Sequence, residues 1–96
     1  MDIEFTIETD FNRYAMRMDG ELAAIVDYSA NGNAISLTRV YTAPHLRGRG
    51  LAAEVVAFAV DDIEQNTDLH IVPMCWYAAE WFEKHPEHAN VLAPAA

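Results

Sequence analysis

Two glycine dipeptides, each lying between stretches of alternating apolar and polar residues, constrain the fold of this chain more than any other feature. Asp19-Gly20 and Asn31-Gly32 are dipeptides that two-residue hairpin turns favour, because such turns need positive φ at central residues. The alternation on either side has the period of a half-buried strand. We therefore expect an antiparallel meander of four strands over residues 3–7, 14–18, 21–28 and 34–42.

The pattern changes after the fourth strand. Residues 50–65 are apolar over a length that favours a helix over a buried strand, and their polar positions recur at helical spacing. The acidic run of Asp61, Asp62 and Glu64 is expected on the solvated face of this helix. Residues 69–72 then form a short apolar strand, which we expect to run parallel to the fourth because a helix separates them.

A second helix is expected over residues 76–84, and His85-Pro86 ends it. The predicted element order is β-β-β-β-α-β-α, an α/β chain of the α+β type. In this fold an antiparallel sheet is continued by a parallel βαβ unit, and the helices pack on the sheet. The length of 96 residues predicts one domain over residues 1–96.

Charge and cysteine content argue against several classes of protein. Fifteen acidic residues against six basic ones give a formal net charge of −9, which argues against nucleic-acid binding. No apolar stretch is long enough for a membrane span, the first residues lack signal-peptide features, and a single cysteine suits a reducing compartment. We therefore expect a cytoplasmic protein. Three of the six basic residues, Arg39, Arg47 and Arg49, lie within eleven positions and predict a local site for a specific anion.

Residues 47–50, with the sequence Arg-Gly-Arg-Gly, lie between the fourth strand and the first helix. A helix N-terminus carries unpaired N–H groups and a partial positive charge, and glycines let a phosphate approach them closely. Gly48 and Gly50 are expected to give that access, with positive charge added by the two arginines. The alternative is an ordinary glycine turn with solvated arginines, and these residues alone leave both interpretations open.

Cys75 follows the fifth strand and directly precedes the second helix. A helix N-terminus favours the thiolate, which is the nucleophilic form, so a catalytic cysteine is one interpretation. A packed, inert thiol is the other. His85 and His88 lie beside Glu87, but this ligand set is too small for a zinc site, so no metal is predicted.

Several short motifs together resemble the GNAT N-acetyltransferase superfamily, in particular a compact branch of single short domains. Arg47-Gly48-Arg49-Gly50-Leu51-Ala52 fits the R-x-x-G-x-A pattern of that superfamily. Arg13-Tyr14, residues 19–23 and Asp27-Tyr28 are similar to the branch's opening hairpins. Residues 72–75 are similar to its P-x-C motif, and His85-Pro86-Glu87 to its H-P-E motif. In order and spacing these segments cover residues 13–88.

The resemblance implies acetyl-CoA as the acetyl donor. It implies that the pyrophosphate is held by Arg47, Gly48, Arg49, Gly50, Leu51 and Ala52. It also implies that the pantetheine arm lies against Val40, Tyr41 and Thr42, where the fourth and fifth strands splay apart. Cys75 is implied to act near the thioester, either by accepting the acetyl group or by positioning acetyl-CoA. Tyr77 is implied as the acid that protonates the leaving thiolate, and the alternative is an aromatic side chain packed on the sheet.

One departure from the branch concerns the fourth strand. Arg39-Val40-Tyr41 stands where the branch often has His-Thr-Glu, so no base for deprotonating the acceptor carries over, and arginine stays protonated. The leading expectation is transfer to a primary amine, on a small molecule or a protein, by a monomer or weak dimer. The alternatives are a non-catalytic module that binds CoA or acetyl-CoA, and a ligand-free interaction protein that uses the two tryptophans of residues 76–82.

Overall fold

Both expected hairpin turns form, and the second is displaced by one residue. Asp19 and Gly20 have φ angles of 52° and 84°, as a type I′ turn requires. In the second hairpin Asn31 pairs with Ala34, so Gly32, with φ of 63°, takes the first central position of the turn. A type II′ turn needs glycine at that position, and the third strand therefore extends further than the alternation predicts.

The order of strands and helices is the predicted one. The structure, a computed structural model, describes residues 2–94. Its strands are β1 (Ile3–Glu8), β2 (Arg13–Met18), β3 (Glu21–Asn31), β4 (Ala34–Thr42) and β5 (His70–Pro73), and its helices are α1 (Leu51–Asn66) and α2 (Trp76–Lys84). Short 3-10 turns cover Thr9–Phe11, Pro44–Leu46 and Pro86–Val91.

The strands lie in the order β1-β2-β3-β4-β5 within one sheet. The first three neighbouring pairs are antiparallel and β4 pairs with β5 in parallel, so the predicted fold class is confirmed. Within residues 2–94, no helix is both long enough and apolar enough to cross a membrane.

The hydrophobic core lies between the sheet and the two helices. Met16 of β2, Leu37 of β4 and Ile71 of β5 are fully buried. The apolar stripe of α1 meets them, and its fully buried members are Val55, Val56, Ala59, Val60 and Ile63. Burial of this stripe, at about 25 cal/mol per Å² of apolar surface, holds α1 against the sheet.

The acidic residues near the end of α1 are not all solvated, contrary to the expectation. Asp61 is exposed. The Tyr14 hydroxyl, however, donates to Asp62 Oδ2 at 2.8 Å, and His88 Nδ1 lies 2.7 Å from Glu64 Oε1. These carboxylates join α1 to β2 and to the last 3-10 turn. Helical periodicity alone does not reveal such contacts, because their partners are distant in sequence.

The two tryptophans of α2 have different environments. The side chain of Trp76 is 74% exposed, whereas Trp81 is 5% exposed and belongs to the core. The expectation that both could face a partner is therefore wrong for Trp81, because its position on the helix turns its ring towards the sheet.

The parallel pair β4 and β5 is much shorter than β4 itself. Pairing runs from Ala34 opposite His70 to Leu37 opposite Pro73 and then stops. At this point a bulge disturbs the pairing of β4 with β3, with Thr38 as the extra residue. Beyond it, β4 continues to its end on β3 alone, so its other edge is open.

Candidate active site

The open edge of β4 presents backbone groups without a strand partner. The Ala43 N–H donates to Ala23 O across the β3 side, at 2.8 Å. Because backbone groups alternate in direction along a strand, those of Thr42 and Val40 point to the opposite, open side. Unpaired N–H and C=O groups of this kind accept an extended, amide-containing ligand in the way that a sheet edge accepts another strand.

A cavity of about 330 Å³ lies between this edge and the starts of both helices. It is lined by Val40, Tyr41, Thr42, Arg47, Ala52, Cys75, Trp76 and Tyr77. The structure thus brings together most of the site residues that the sequence motifs single out. Trp76 also lines the cavity, although the sequence motifs do not single it out; its position beside Cys75 at the start of a helix is the signal that could.

The remaining residues of the candidate set, 48–51, lie in the loop before α1 and at its first position, and they do not line this cavity. Gly48 and Gly50 have φ angles of 85° and 77°, in the left-handed region that favours glycine. The Glu54 N–H donates to Gly50 O, which starts the helical ladder, so the N–H groups of residues 51–53 have no helical partner. Leu51 is 5% exposed and points into the core, so only its backbone faces the loop.

The two arginines of this loop differ from the other basic residues of the chain in having no carboxylate partner among residues 2–94. Four of the six basic side chains are in ion pairs: Arg13 and Arg17 with Glu8, Arg39 with Asp27, and Lys84 with Glu80. Within residues 2–94, Arg47 and Arg49 have no carboxylate partner. Of the three arginines that predict an anion site, Arg39 is therefore already paired with Asp27, and Arg47 and Arg49 remain candidates.

The Arg47 side chain lies across the edge of the cavity. Its Nε donates to the Thr42 carbonyl oxygen at 3.4 Å, which is one of the oxygens that face the open edge of β4. This contact is long for a hydrogen bond, and the guanidinium is exposed. The side chain is therefore held only weakly in this position.

Cys75 and Tyr77 line the same cavity from the start of α2. Cys75 is the residue that caps this helix, and its backbone N–H donates to Leu37 O at 3.1 Å. The thiol is half-buried. Burial raises the pKa of Tyr77, with a smaller opposite effect from Lys84, so its hydroxyl is protonated at neutral pH and available as a donor.

The histidines after α2 make contacts within the fold. His85 Nδ1 lies 2.7 Å from Trp81 O, and because a carbonyl only accepts, the ring nitrogen is the donor. His88 binds Glu64, as described above. In the part of the chain that the structure describes, no three His, Cys, Asp or Glu side chains are grouped to hold a metal ion.

The sequence profile described as GCN5-related N-acetyl-transferase matches residues 13–91 of this chain. The chain belongs to the GCN5-related N-acetyltransferase family. This membership identifies it as an acetyltransferase, in agreement with the resemblance seen in the motifs. No curated protein is significantly similar to it in sequence.

A solved structure of similar fold comes from Staphylococcus aureus. It is the NMR solution structure of a GCN5-like protein that is itself only proposed to be an N-acetyltransferase. The two chains are 20% identical with a TM-score of 0.70, and the match covers 99% of this chain and 90% of the other. At this identity the likeness supports the fold of the GCN5-related family and carries no information about residues of the site.

Proposed function

We propose that this protein transfers an acetyl group from acetyl-CoA to a primary amine, with Cys75 acting at the thioester. The observation that carries the proposal is the 330 Å³ cavity, in which the open edge of β4, the Cys75 thiol and the Arg47 guanidinium meet. Each of these groups matches one part of acetyl-CoA. The strand edge suits the amides of the pantetheine arm, the thiol suits the thioester, and the guanidinium suits the pyrophosphate.

The start of α1 supports the assignment of the pyrophosphate. The unpaired N–H groups of residues 51–53 and the positive end of the helix favour an anion there, and Gly48 and Gly50 leave the backbone uncovered. Arg47 and Arg49 add the charge that no carboxylate of the described chain neutralises. When Arg47 turns to the phosphates, its contact with Thr42 O ends and that carbonyl becomes available to the pantetheine arm.

Two routes are open for the transfer itself. In the first, the Cys75 thiol loses its proton to water, its sulfur attacks the acetyl carbonyl carbon, and the bond from that carbon to the CoA sulfur breaks while Tyr77 gives its proton to the departing CoA thiolate. A neutral amine then attacks the acetyl-cysteine, the bond from the acetyl carbon to the Cys75 sulfur breaks, and the proton that the amine nitrogen loses restores the thiol. Tyr77 recovers its proton from water. In the second, the amine attacks acetyl-CoA directly and Cys75 only positions the thioester. In both routes a protonated acceptor amine first loses a proton to water, since Arg39 is held in an ion pair by Asp27 and a guanidinium offers no acceptor atom.

The first experiment is a calorimetric titration with acetyl-CoA. We expect saturable one-to-one binding, and Arg47→Gln and Arg49→Gln each to raise Kd about fivefold, which corresponds to about 1 kcal/mol per phosphate contact. Arg39→Gln is the matched control, because it removes the same charge from a side chain that Asp27 already holds. Absence of binding at millimolar acetyl-CoA, or an equal effect of all three variants, contradicts the assignment of the loop.

The second experiment separates the roles of Cys75. Cys75→Ala should keep acetyl-CoA binding and lose transfer to amines. Intact-mass analysis of the wild type with acetyl-CoA and no amine should show an acetylated Cys75 on the first route and an unmodified thiol on the second. Full activity of Cys75→Ala would refute both routes. Binding without transfer to any amine tested would favour a module that only binds CoA.

A further inference from the structure

A second, smaller cavity adjoins the proposed acetyl-CoA site. Its volume is about 120 Å³, and it is lined by Ala53, Tyr77, Glu80, Trp81, Lys84 and His85. Tyr77 lines both cavities, and Ala52 of the larger one is the chain neighbour of Ala53 in the smaller. The two cavities are therefore neighbours, the second between α1 and α2, and the transfer step described above makes no use of the second.

The second cavity begins close to the proposed pyrophosphate site. Ala53 follows Gly50 by three residues, which is about 4.5 Å of rise along the axis of α1. In coenzyme A the adenosine, with its 3′-phosphate, is joined directly to the pyrophosphate. A molecule whose pyrophosphate rests on the start of α1 therefore has its nucleoside end within reach of this cavity.

The walls of the second cavity suit a purine that carries a phosphate. Trp81, His85 and the small side chain of Ala53 are among the lining residues, and His85 is stacked on Trp81 with 4.1 Å between ring centroids. Flat aromatic walls favour the stacking of a flat base. Lys84, the one lysine of this acidic chain, lies at the rim with 69% of its side chain exposed.

The ammonium of Lys84 already has a weak partner. Glu80 Oε1 lies 2.8 Å from Lys84 Nζ, one helical turn away on the same face of α2. An exposed ion pair of this kind contributes little, so a dianionic phosphate can displace the carboxylate. Glu80 also repels an incoming phosphate, and the two side chains are therefore expected to act on such a ligand in opposite directions.

We propose that this cavity receives the adenosine 3′-phosphate end of coenzyme A, with Lys84 pairing with the 3′-phosphate and Glu80 weakening that contact. The inference rests on the proposed function, because it takes the pyrophosphate to lie at the start of α1. It adds a residue of α2 that distinguishes coenzyme A from the same molecule without its 3′-phosphate.

The test compares Kd for coenzyme A and for dephospho-coenzyme A by calorimetry. The wild type should bind coenzyme A about threefold to tenfold more tightly. Lys84→Gln should bring the two Kd values together, whereas Glu80→Gln should widen the difference. Glu83→Gln is the matched control, since it removes the same charge from an exposed position of α2 outside the cavity. The ratio of the two Kd values cancels any effect of a variant on the fold as a whole.

Three results overturn the inference. The first is that the wild type binds the two ligands with equal affinity. The second is that Lys84→Gln leaves the ratio of the two Kd values unchanged. The third is that Glu83→Gln alters this ratio as much as Glu80→Gln does. In each case tight binding of both ligands leaves the proposed function standing. Failure of both ligands to bind the wild type instead refutes the proposed function, and the inference about Lys84 falls with it.

Discussion

The carboxylate of Glu8 connects β1 to β2. Replacing it tests the fold independently of the candidate site, through the free energy of unfolding. The Glu8 carboxylate accepts hydrogen bonds from Arg13 Nε at 2.7 Å, from Arg17 Nη2 at 3.0 Å and from the Thr6 hydroxyl at 3.0 Å. Arg13 first, and then Arg17, lower the pKa of Glu8 from its ordinary 4.5 to about 2. We expect Glu8→Gln to destabilise the protein, since a neutral amide holds two guanidinium groups far less well.

The size of the effect follows from the shift in pKa. A difference of about 2.5 pKa units corresponds to at most about 3.4 kcal/mol. The group lies at the surface, with 17% of its side chain exposed, and water and salt screen such charges, so we expect about 1–2 kcal/mol. Because the folded-state pKa is lowered, this stabilisation is present above pH 4.5 and is lost as the pH falls towards 2.

The assay is urea unfolding of the wild type and Glu8→Gln at pH 7, 5 and 3. From the two pKa values, about two-fifths of the contribution remains at pH 3, so the difference between the proteins should narrow to that fraction. Glu4→Gln is the matched control, because Glu4 is exposed on the same strand. A difference that stays constant from pH 7 to pH 3, or a control that behaves like Glu8→Gln, would refute the reasoning.

Three further predictions concern single side chains. Gly50→Ala should lower the free energy of unfolding, measured in urea, by about 1–2 kcal/mol. The reason is that a φ of 77° disfavours alanine, although no atom lies within 4 Å of the added Cβ. An unchanged midpoint of urea unfolding contradicts this. Tyr14→Phe should cost about 1–2 kcal/mol in the same assay through the lost bond to Asp62, and a loss below about 0.3 kcal/mol would count against that bond. Since burial raises the pKa of Tyr77, the kcat of the wild type should fall only above about pH 10. Tyr77→Phe should lower kcat and remove this decline at high pH. A decline that persists in the variant excludes the acid role.

Local signals in the sequence predict most of this fold, because hairpins and helix boundaries depend on neighbouring residues. Asp19-Gly20 forms its turn where expected, and the long apolar segment becomes α1. The second turn lies one residue later than predicted, because the register of β3 and β4 places Gly32 at the first central position of a type II′ turn. A dipeptide indicates that a turn is present, whereas cross-strand packing decides which turn it is.

The sequence predicts the candidate site less completely than the fold. The motifs indicate Cys75 and the glycine loop, since their spacing along the chain is itself the signal. They do not indicate that Asp27 holds Arg39, or that Lys84 lies at the rim of a second cavity. Such partners come from strands and helices that meet only in the folded chain, so periodicity identifies the face of an element and leaves its contacts open.

The candidate site depends on the unequal lengths of two parallel neighbours. β4 has nine residues and β5 has four, and β5 ends at Pro73, which has no N–H to extend the ladder. The next two N–H groups, of Met74 and Cys75, both donate to Leu37 O, so the chain turns away from the sheet at this point. The same turn that leaves the end of β4 unpaired also starts α2, and it therefore places the Cys75 thiol beside the open strand edge. A longer β5 would fill that edge with its own backbone and remove both the cavity and the position of the thiol.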